Sequence, residues 1–419
     1  MNNSFQRKVK IAFLGNQIAY GGGAKSLLLL IKSLQGQNIE SYLFVTQISS
    51  EEMKAEFEEY VEFVKIVNLP EAVSAQTQTI KENVQKRKEN NQDLLNIKIF
   101  AEELNKLEID ILHINNSVFA PIYKILRSTT NIKIVTHIRE WVDWNGIHQK
   151  QRYIIDSIEN NSDALICISD TEARVFKAHT NLHVIPNTFD FNELTHIGNN
   201  GKKIRKKLGI NENTFVVGMM GSFQRNKGVL DFLKALAYLK QNKNNFEDIK
   251  FVVLGGSVNV KPNIIKHILR KILLRNTFNY QVYKLLKREK ILNEVIFLSN
   301  RKNVLEVVNS FDVAVRPSYT GDPWGRDVIE FMAMKKPIVA TGTSEFFIKN
   351  EKTGFIVPPR DYVGLAEKIY WLYQHNKERN EMGQRAYKNI FELSNTNVFR
   401  ANLIDVYFNL IRHKLYPRI

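Results

Sequence analysis

Short apolar segments rich in Val, Ile and Phe alternate along this chain with longer segments in which apolar residues recur at helical spacing. This alternation predicts βαβ units, in which a helix connects each strand to the next parallel strand. In the first half, strands are predicted at residues 9–14, 42–46, 63–67, 110–114, 132–136, 164–169 and 183–186. A second series is predicted at residues 215–220, 250–254, 295–298, 312–315, 337–340 and 354–357. The chain is therefore expected to be an α/β protein with two parallel sheets.

The length and apolar content of the chain fit two domains. At 419 residues it exceeds an ordinary single domain, and its hydrophobic content of 44% supplies two cores. Residues 191–207 are rich in Asn, Gly and Lys without an apolar period, so they are predicted to be a linker. The expected domains are residues 1–190 and 208–395, both Rossmann-like and doubly wound. A helix over residues 396–419 is a candidate to cross back to the first domain.

The sequence carries no signal for export or membrane insertion. No segment approaches the roughly 18 consecutive apolar residues of a spanning helix, and residues 1–10 are polar and basic with no signal-peptide core behind them. The protein is therefore expected in the cytoplasm. The single cysteine, Cys167, lies in an apolar run and is expected to be buried, which excludes a disulfide framework and a thiolate metal cluster.

Half of the formal charge of +16 lies in residues 261–290, where nine Lys or Arg accompany one acid, a net of 9 − 1 = +8. Apolar residues recur there at helical spacing, which predicts a helix with a basic face. Such a helix can bind an anionic membrane surface at the inner face of the membrane, or it can pack on its own domain as a solvated helix. Nucleic-acid binding is disfavoured, because the aromatic residues of this segment, Phe278, Tyr280 and Tyr283, are clustered rather than interleaved with the charges.

Two glycine-containing loops follow the first strand of each series. Residues 21–23 are three glycines before an apolar helix, and residues 221–228 include Arg225 and Lys227 directly before another. Glycines let backbone N–H groups approach a ligand, and cations beside a positive helix end are unfavourable unless an anion is bound. A diphosphate fits both loops, although plain turns and solvated charges would give the same pattern. The first loop is no Walker loop, because Ala24 separates Gly23 from Lys25.

Two acids lie on either side of the start of a helix that is predicted to begin near Arg326. Asp322 lies in the preceding loop with Gly325, and Glu330 lies eight positions after Asp322, so both can face one ligand. Carboxylates accept hydrogen bonds from sugar and ribose hydroxyls, and the helix N-terminus between them can hold phosphate. The sequence therefore predicts a site for a phosphorylated sugar.

Polar residues also follow two predicted strands of the first series. His137 and Arg139 follow one strand, and His113 and Asn116 lie at the end of the strand before it. Doubly wound sheets bind ligands at the carboxyl ends of their strands. A histidine that only bonds its neighbours remains the alternative.

Taken in order, these motifs resemble the retaining glycosyltransferases of family 4. The resemblance rests on Pro317-Ser318 at a strand end, two acids eight residues apart, and the segments 184–190, 342–345 and 353–358, and it is clearest from Gly218 onward. It implies the GT-B fold, in which two Rossmann-like domains face each other across a cleft. The first domain then lies on the acceptor side and the second holds the donor.

The resemblance also implies roles for individual residues. Glu330 would bind the ribose hydroxyls and Asp322 a hydroxyl of the transferred sugar, and His137 would contact that sugar. The other donor-side residues are Gly22, Gly23, Arg225, Lys227, Gly325, Arg326 and Glu345. Candidates for the acceptor side are His113, Asn116 and Arg139.

The implied activity is transfer of a hexosyl group, with retention, from a nucleoside-diphosphate sugar to a glycan or lipid-linked acceptor, as in polysaccharide biosynthesis. Because no Asp-x-Asp motif stands at a strand end, no metal is expected, and no cofactor besides the donor. Two alternatives stay open: a sugar-nucleotide epimerase of the same fold, and a catalytically impaired relative that binds nucleotide sugars.

Overall fold

The computed structural model describes residues 7–71, 81–140, 149–198, 200–244, 246–256, 278–299, 303–321 and 324–415. The chain divides into two compact units. Unit 1 comprises Met1–Thr188 and Thr396–Ile419, and unit 2 comprises Phe189–Asn395.

Unit 1 is a parallel sheet covered by helices. Its strands are β1 (Val9–Ile18), β2 (Ile39–Ile48), β3 (Val64–Ile66), β4 (Ile111–Ile114), β5 (Lys133–Ile138), β6 (Ala164–Cys167) and β7 (Leu182–Val184), in the order β3-β2-β1-β4-β5-β6-β7. Its helices are α1 (Gly22–Ser33), α2 (Glu51–Glu58), α3 (Lys81–Lys106), α4 (Tyr123–Thr129), α5 (Gln149–Asn161), α6 (Asp170–Ala173) and α14 (Thr396–Leu415), with a 3-10 segment at Ser117–Ile122.

Unit 2 repeats this architecture. Its strands are β8 (Phe215–Met220), β9 (Ile249–Leu254), β10 (Val295–Leu298), β11 (Val313–Arg316), β12 (Ile338–Thr341) and β13 (Gly354–Val357), in the order β10-β9-β8-β11-β12-β13. Its helices are α7 (Asn200–Lys207), α8 (Val229–Asn242), α9 (Phe278–Arg288), α10 (Val304–Asn309), α11 (Arg326–Ala333), α12 (Tyr362–Gln374) and α13 (Asn376–Ser394). Short 3-10 segments lie at Phe191–His196, Arg225–Lys227 and Phe246–Asp248.

In both sheets, the direction in which the chain adds successive strands reverses at the first strand. In unit 1 the chain moves outward from β1 to β3 and then returns to place β4 on the other side of β1, and in unit 2 β8 and β11 are related in the same way. Ligands of doubly wound sheets bind at this reversal, beyond the carboxyl ends of the two strands. The loops after β1, β4, β8 and β11 are therefore the expected site positions.

Each strand predicted from the sequence is present, with ends that differ by a few residues. The largest difference is at β1, which continues to Ile18, four residues past the predicted end. The strand pairs are parallel, as the alternation with helices predicted.

The predicted linker, residues 191–207, is not an extended connection. It forms the 3-10 segment Phe191–His196 and helix α7, and both belong to unit 2. The Arg205 guanidinium pairs with Asp312 at 2.7 Å and donates to the Ser310 and Thr214 carbonyls. The polar composition was misleading because α7 is held by these bonds and by buried Ile204 rather than by an apolar stripe.

The last helix, α14, packs in unit 1. Its side chains Phe399, Leu403, Val406, Tyr407 and Ile411 are buried in the core that contains β1 and α1.

The basic segment is described only from residue 278 onward. There α9 buries Val282, Leu285 and Leu286 in the core of unit 2, so for this part the packing interpretation applies. The apolar positions between residues 264 and 273 lie outside the described residues. Among the described residues, no helix is both long and apolar enough to cross a membrane.

Candidate functional site

The loop after β8 brings two predicted cations to the start of α8. Arg225 and Lys227 form a 3-10 turn, which ends at Gly228, the N-cap of α8. The methylenes of Lys227 lie against Gly221, since a Cβ built on Gly221 would be 3.8 Å from Lys227 Cγ. Arg225 is exposed, and its guanidinium donates to Gln281 at 2.6 Å. Two positively charged side chains therefore precede the N-terminus of α8, a helix of 14 residues. This arrangement suits a bound anion.

Gly228 joins this loop to the loop after β11. Its φ of 74° lies in the left-handed region. A Cβ at this position would stand 1.5 Å from the carbonyl oxygen of Pro317. The Tyr319 N–H donates to the Asn226 carbonyl at 2.9 Å, which also ties the two loops together. The two loops thus form one surface beyond the ends of β8 and β11.

The start of α11 is fixed by a buried ion pair. Arg316, at the end of β11, contacts Asp327 in the first turn at 2.5 Å, and the two side chains are only 7% and 10% exposed. A Cβ on Gly325 would come within 2.9 Å of the Arg316 guanidinium. Sequence reasoning missed this pair, although an arginine ending an apolar strand was a usable signal.

Glu330 lies one turn further along α11. Its carboxylate accepts from Arg326 Nε at 3.1 Å, and both side chains are more than nine-tenths buried. Arg326, predicted as a donor-side residue, therefore pairs with Glu330 in this structure. The pair lies in the helix that follows β11, and β11 is the neighbour of β8, whose following loop carries Lys227.

Of the two other acids predicted on the donor side, only Glu345 is described in the structure. Asp322 lies outside the described residues. Glu345 is exposed, and its carboxylate accepts from the Asn350 N–H at 3.1 Å. It lines an open pocket beyond β12 and β13 together with Gly342, Thr343, Asn350, Ile356, Val357, Pro358 and Pro359. A bond of 2.6 Å from the Thr341 hydroxyl to the Ser318 carbonyl joins this region to the loop after β11.

In unit 1 the glycine loop is open. Gly21 caps α1 with an extended backbone, and residues 21–23 are exposed. A Cβ on Gly21 or Gly23 would meet nothing within 4 Å. A larger residue would therefore fit at either position without a clash in unit 1. Because both residues are glycines, no side chain covers the N-terminus of α1.

The ends of β4 and β5 hold a cluster of polar side chains. Arg139 donates through Nε to Asn115 Oδ1 at 2.8 Å, through Nη1 to Asn187 Oδ1, and through Nη2 to His137 Nδ1 at 3.2 Å. His113 Nε2 lies 3.3 Å from His137 Nδ1. The structure thus brings three of the predicted residues of unit 1 into direct contact. The fourth, Asn116, lies beside them with a buried amide oxygen that has no hydrogen-bond partner among the described residues.

Both imidazoles are fully buried. Burial, and then the positive charge of Arg139, hold the pKa of both His113 and His137 well below the usual value. They are therefore neutral at physiological pH, and neither is exposed on the surface of unit 1. Sequence reasoning missed Tyr407, whose hydroxyl lies 2.7 Å from His113 Nδ1.

Comparison with known proteins adds independent findings. Residues 20–193 match the family model Glycosyltransferase Family 4, and residues 200–389 match the model Glycosyl transferases group 1. The chain is 23% identical over 328 residues to the UDP-Gal:alpha-D-GlcNAc-diphosphoundecaprenol alpha-1,3-galactosyltransferase of Escherichia coli, which covers 74% of this chain and 78% of that protein.

Two further matches are similar in extent. The chain is 21% identical over 322 residues to the N-acetyl-alpha-D-glucosaminyl L-malate synthase of Bacillus anthracis, with coverage of 74% and 78%. The crystal structure of HepE from Anabaena in complex with UDP and glucose matches with a TM-score of 0.73 at 17% identity, over 95% of this chain and 98% of that one. The sequence matches and the structural match each extend over most of the chain.

Proposed function

The chain belongs to glycosyltransferase family 4 and has the GT-B fold, as its motifs predicted, and from this premise we propose that it transfers a sugar from a UDP-sugar to a polysaccharide or lipid-linked precursor. The uridine base is inferred from the E. coli relative, named for UDP-Gal, and from HepE, crystallised with UDP. The lipid-linked acceptor is inferred from the diphosphoundecaprenol in the name of the same relative.

The observation that carries the proposal is the surface shared by the loops after β8 and β11. Lys227 precedes one helix N-terminus, Glu330 lies just inside another, and the contact of Gly228 with Pro317 joins the loops that hold them. A nucleoside diphosphate has the matching chemistry: an anion for the cation and the helix ends, and ribose hydroxyls that donate to a carboxylate. The two family models and the E. coli relative are named for glycosyl transfer, which favours transfer over the epimerase alternative.

In the proposed reaction, the bond between the sugar and the UDP phosphate breaks while the acceptor hydroxyl bonds to the anomeric carbon. Lys227, assisted by Arg225 and the helix ends, stabilises the negative charge that develops on the departing diphosphate. The acceptor proton passes to a donor phosphate oxygen, and the new bond forms on the face that the diphosphate left. This route needs neither a metal ion nor a further cofactor.

The remaining roles follow the family resemblance. Asp322 and His137 contact the transferred sugar, Glu345 lies near the donor, and Gly22 and Gly23 leave room beneath it. His113, Asn116 and Arg139 belong to the acceptor side, where His113 and Arg139 act through the His137 ring that they contact.

A thermal-shift screen of nucleoside diphosphates tests the donor class. UDP at about one hundred times its Kd is expected to stabilise the protein by about 2.7 kcal/mol, and CDP, GDP and ADP by much less. Lys227→Met is expected to remove most of the UDP shift, because the diphosphate loses its cation. Lys388→Met, the same change at an exposed lysine of α13, serves as the control. A chain that no nucleoside diphosphate stabilises would not have the proposed site.

The basic segment supports a second proposal, peripheral binding to an anionic membrane surface. A lipid-linked acceptor is located at such a surface, and residues 261–290 carry a net +8. The protein is expected to sediment with vesicles that contain anionic phosphatidylglycerol. Neutralising Lys266, Arg270 and Lys271 together is expected to release the protein from the vesicles. If that variant sediments as the unaltered protein does, the basic segment does not bind the membrane.

A further inference from the structure

The Arg139 guanidinium determines where the proton of His137 sits. A guanidinium has donors only, so the bond from Arg139 Nη2 at 3.2 Å requires an acceptor lone pair on His137 Nδ1. A neutral imidazole carries one proton, which must then be on Nε2. That Nε2 is buried and has no hydrogen-bond partner among the described residues.

The position of the proton on His113 follows from the same argument. Its Nε2 lies 3.3 Å from His137 Nδ1, which has no proton to donate, so His113 Nε2 must be the donor. His113 Nδ1 is then an acceptor, and the Tyr407 hydroxyl is placed to donate to it at 2.7 Å. The hydrogen bonds therefore run in one direction, from Tyr407 through His113 to His137.

We propose that Tyr407 and His113 are positioning residues that hold His137 as the Nε2–H tautomer, ready to donate a hydrogen bond to an oxygen of the bound sugar. The inference rests on the proposed function, because it gives His137 its task in that reaction. It makes His137 a donor and not a general base, since the lone pair of its ring is already taken by Arg139 and His113. Through Tyr407, α14, the last helix of the chain, also contributes a residue to the site.

The burial of the cluster supports this assignment. His113, His137 and Tyr407 have no exposed surface, so water does not compete for these bonds. Neutral rings are also required, and burial together with Arg139 keeps them neutral. A buried N–H without a partner is unfavourable, and a sugar oxygen that reaches the His137 Nε2–H when the donor binds would satisfy it.

The test is a long-range ¹H–¹⁵N spectrum of protein labelled at histidine, with the two rings assigned from His113→Gln and His137→Gln. Both rings are expected to be protonated at Nε2. In Tyr407→Phe, His113 is expected to populate the Nδ1–H form as well, because its acceptor bond is gone, and kcat/KM for sugar transfer is expected to fall about tenfold.

Tyr123→Phe is the matched control. Tyr123 is equally buried in unit 1, and its hydroxyl contacts Thr136 at 2.6 Å without touching either histidine. If the tyrosine hydroxyl mattered only for stability, both variants would behave alike in spectra and rate. A proton on Nδ1 of either ring in the unaltered protein, or equal rates for the two variants, overturns the inference. Failure of the unaltered protein to transfer sugar from any UDP donor would instead reject the proposed function, and the spectra would still decide the tautomers.

Discussion

Replacing Gly228 by alanine is expected to lower the free energy of unfolding by about 3–5 kcal/mol and to abolish UDP binding. The new Cβ would stand 1.5 Å from the Pro317 carbonyl oxygen and 2.4 Å from its carbon, both backbone atoms that no rotamer change can move. The loops after β8 and β11 would have to separate. Because these loops hold Lys227 and the start of α11, the proposed anion site and the proposed ribose contact would be lost together.

Gly209→Ala is the control for this variant. Gly209 has a similar φ of 67°, but a Cβ there meets nothing within 4 Å. Its replacement is expected to cost only the left-handed backbone penalty, about 1 kcal/mol. Urea unfolding and UDP titration of both variants separate backbone strain from the clash. Equal losses in the two variants would mean that the Gly228–Pro317 contact is not tight in solution.

Glu330→Gln is expected to lower kcat/KM for sugar transfer about 100-fold. The carboxylate is replaced by an amide that accepts more weakly from ribose hydroxyls, and the buried Arg326 loses its charged partner. The effect is specific to the ribose. The variant is therefore expected to lose affinity for UDP but to bind the 2′,3′-dideoxy nucleotide about as the unaltered protein does.

Asp312→Asn provides the comparison for Glu330→Gln. Asp312 also pairs with a partly buried arginine, Arg205, but it lies before β11, at the opposite end of the strand from Glu330. Both variants are expected to unfold more easily, and only Glu330→Gln is expected to lose transfer and ribose recognition. A similar loss of activity in both would reduce the role of Glu330 to structural support.

Much of the fold was predictable because buried parallel strands are short apolar runs. Strands β8 and β10 match their predicted bounds. In β8, five of the six residues are buried, so the apolar run in the sequence coincides with the strand. Helix α7 was mistaken for a linker because its contacts are mostly polar, with Arg205 bonded to the backbone carbonyls of Thr214 and of Ser310, which lies 105 residues later.

The candidate site was predictable to a lesser extent. Position near the carboxyl ends of strands singled out Lys227, Glu330 and His137 as candidates, because ligands of such sheets bind at that edge, and their roles stay predictions. It did not show that Glu330 pairs with Arg326, or that Arg316 fixes the first turn of α11. These are side-chain distances, which spacing along the chain does not specify.

The sequence by itself determined the two α/β units and their strands, and it located the loops that carry the candidate site residues, because these depend on local periodicity and on glycine, acid and cation placement. Only the tertiary structure decided that Gly228 packs on Pro317 and that Tyr407 of α14 bonds His113, 294 positions earlier in the chain. Contacts between residues so far apart leave no local pattern. They form only when each sheet and the helices packed on it have placed both partners.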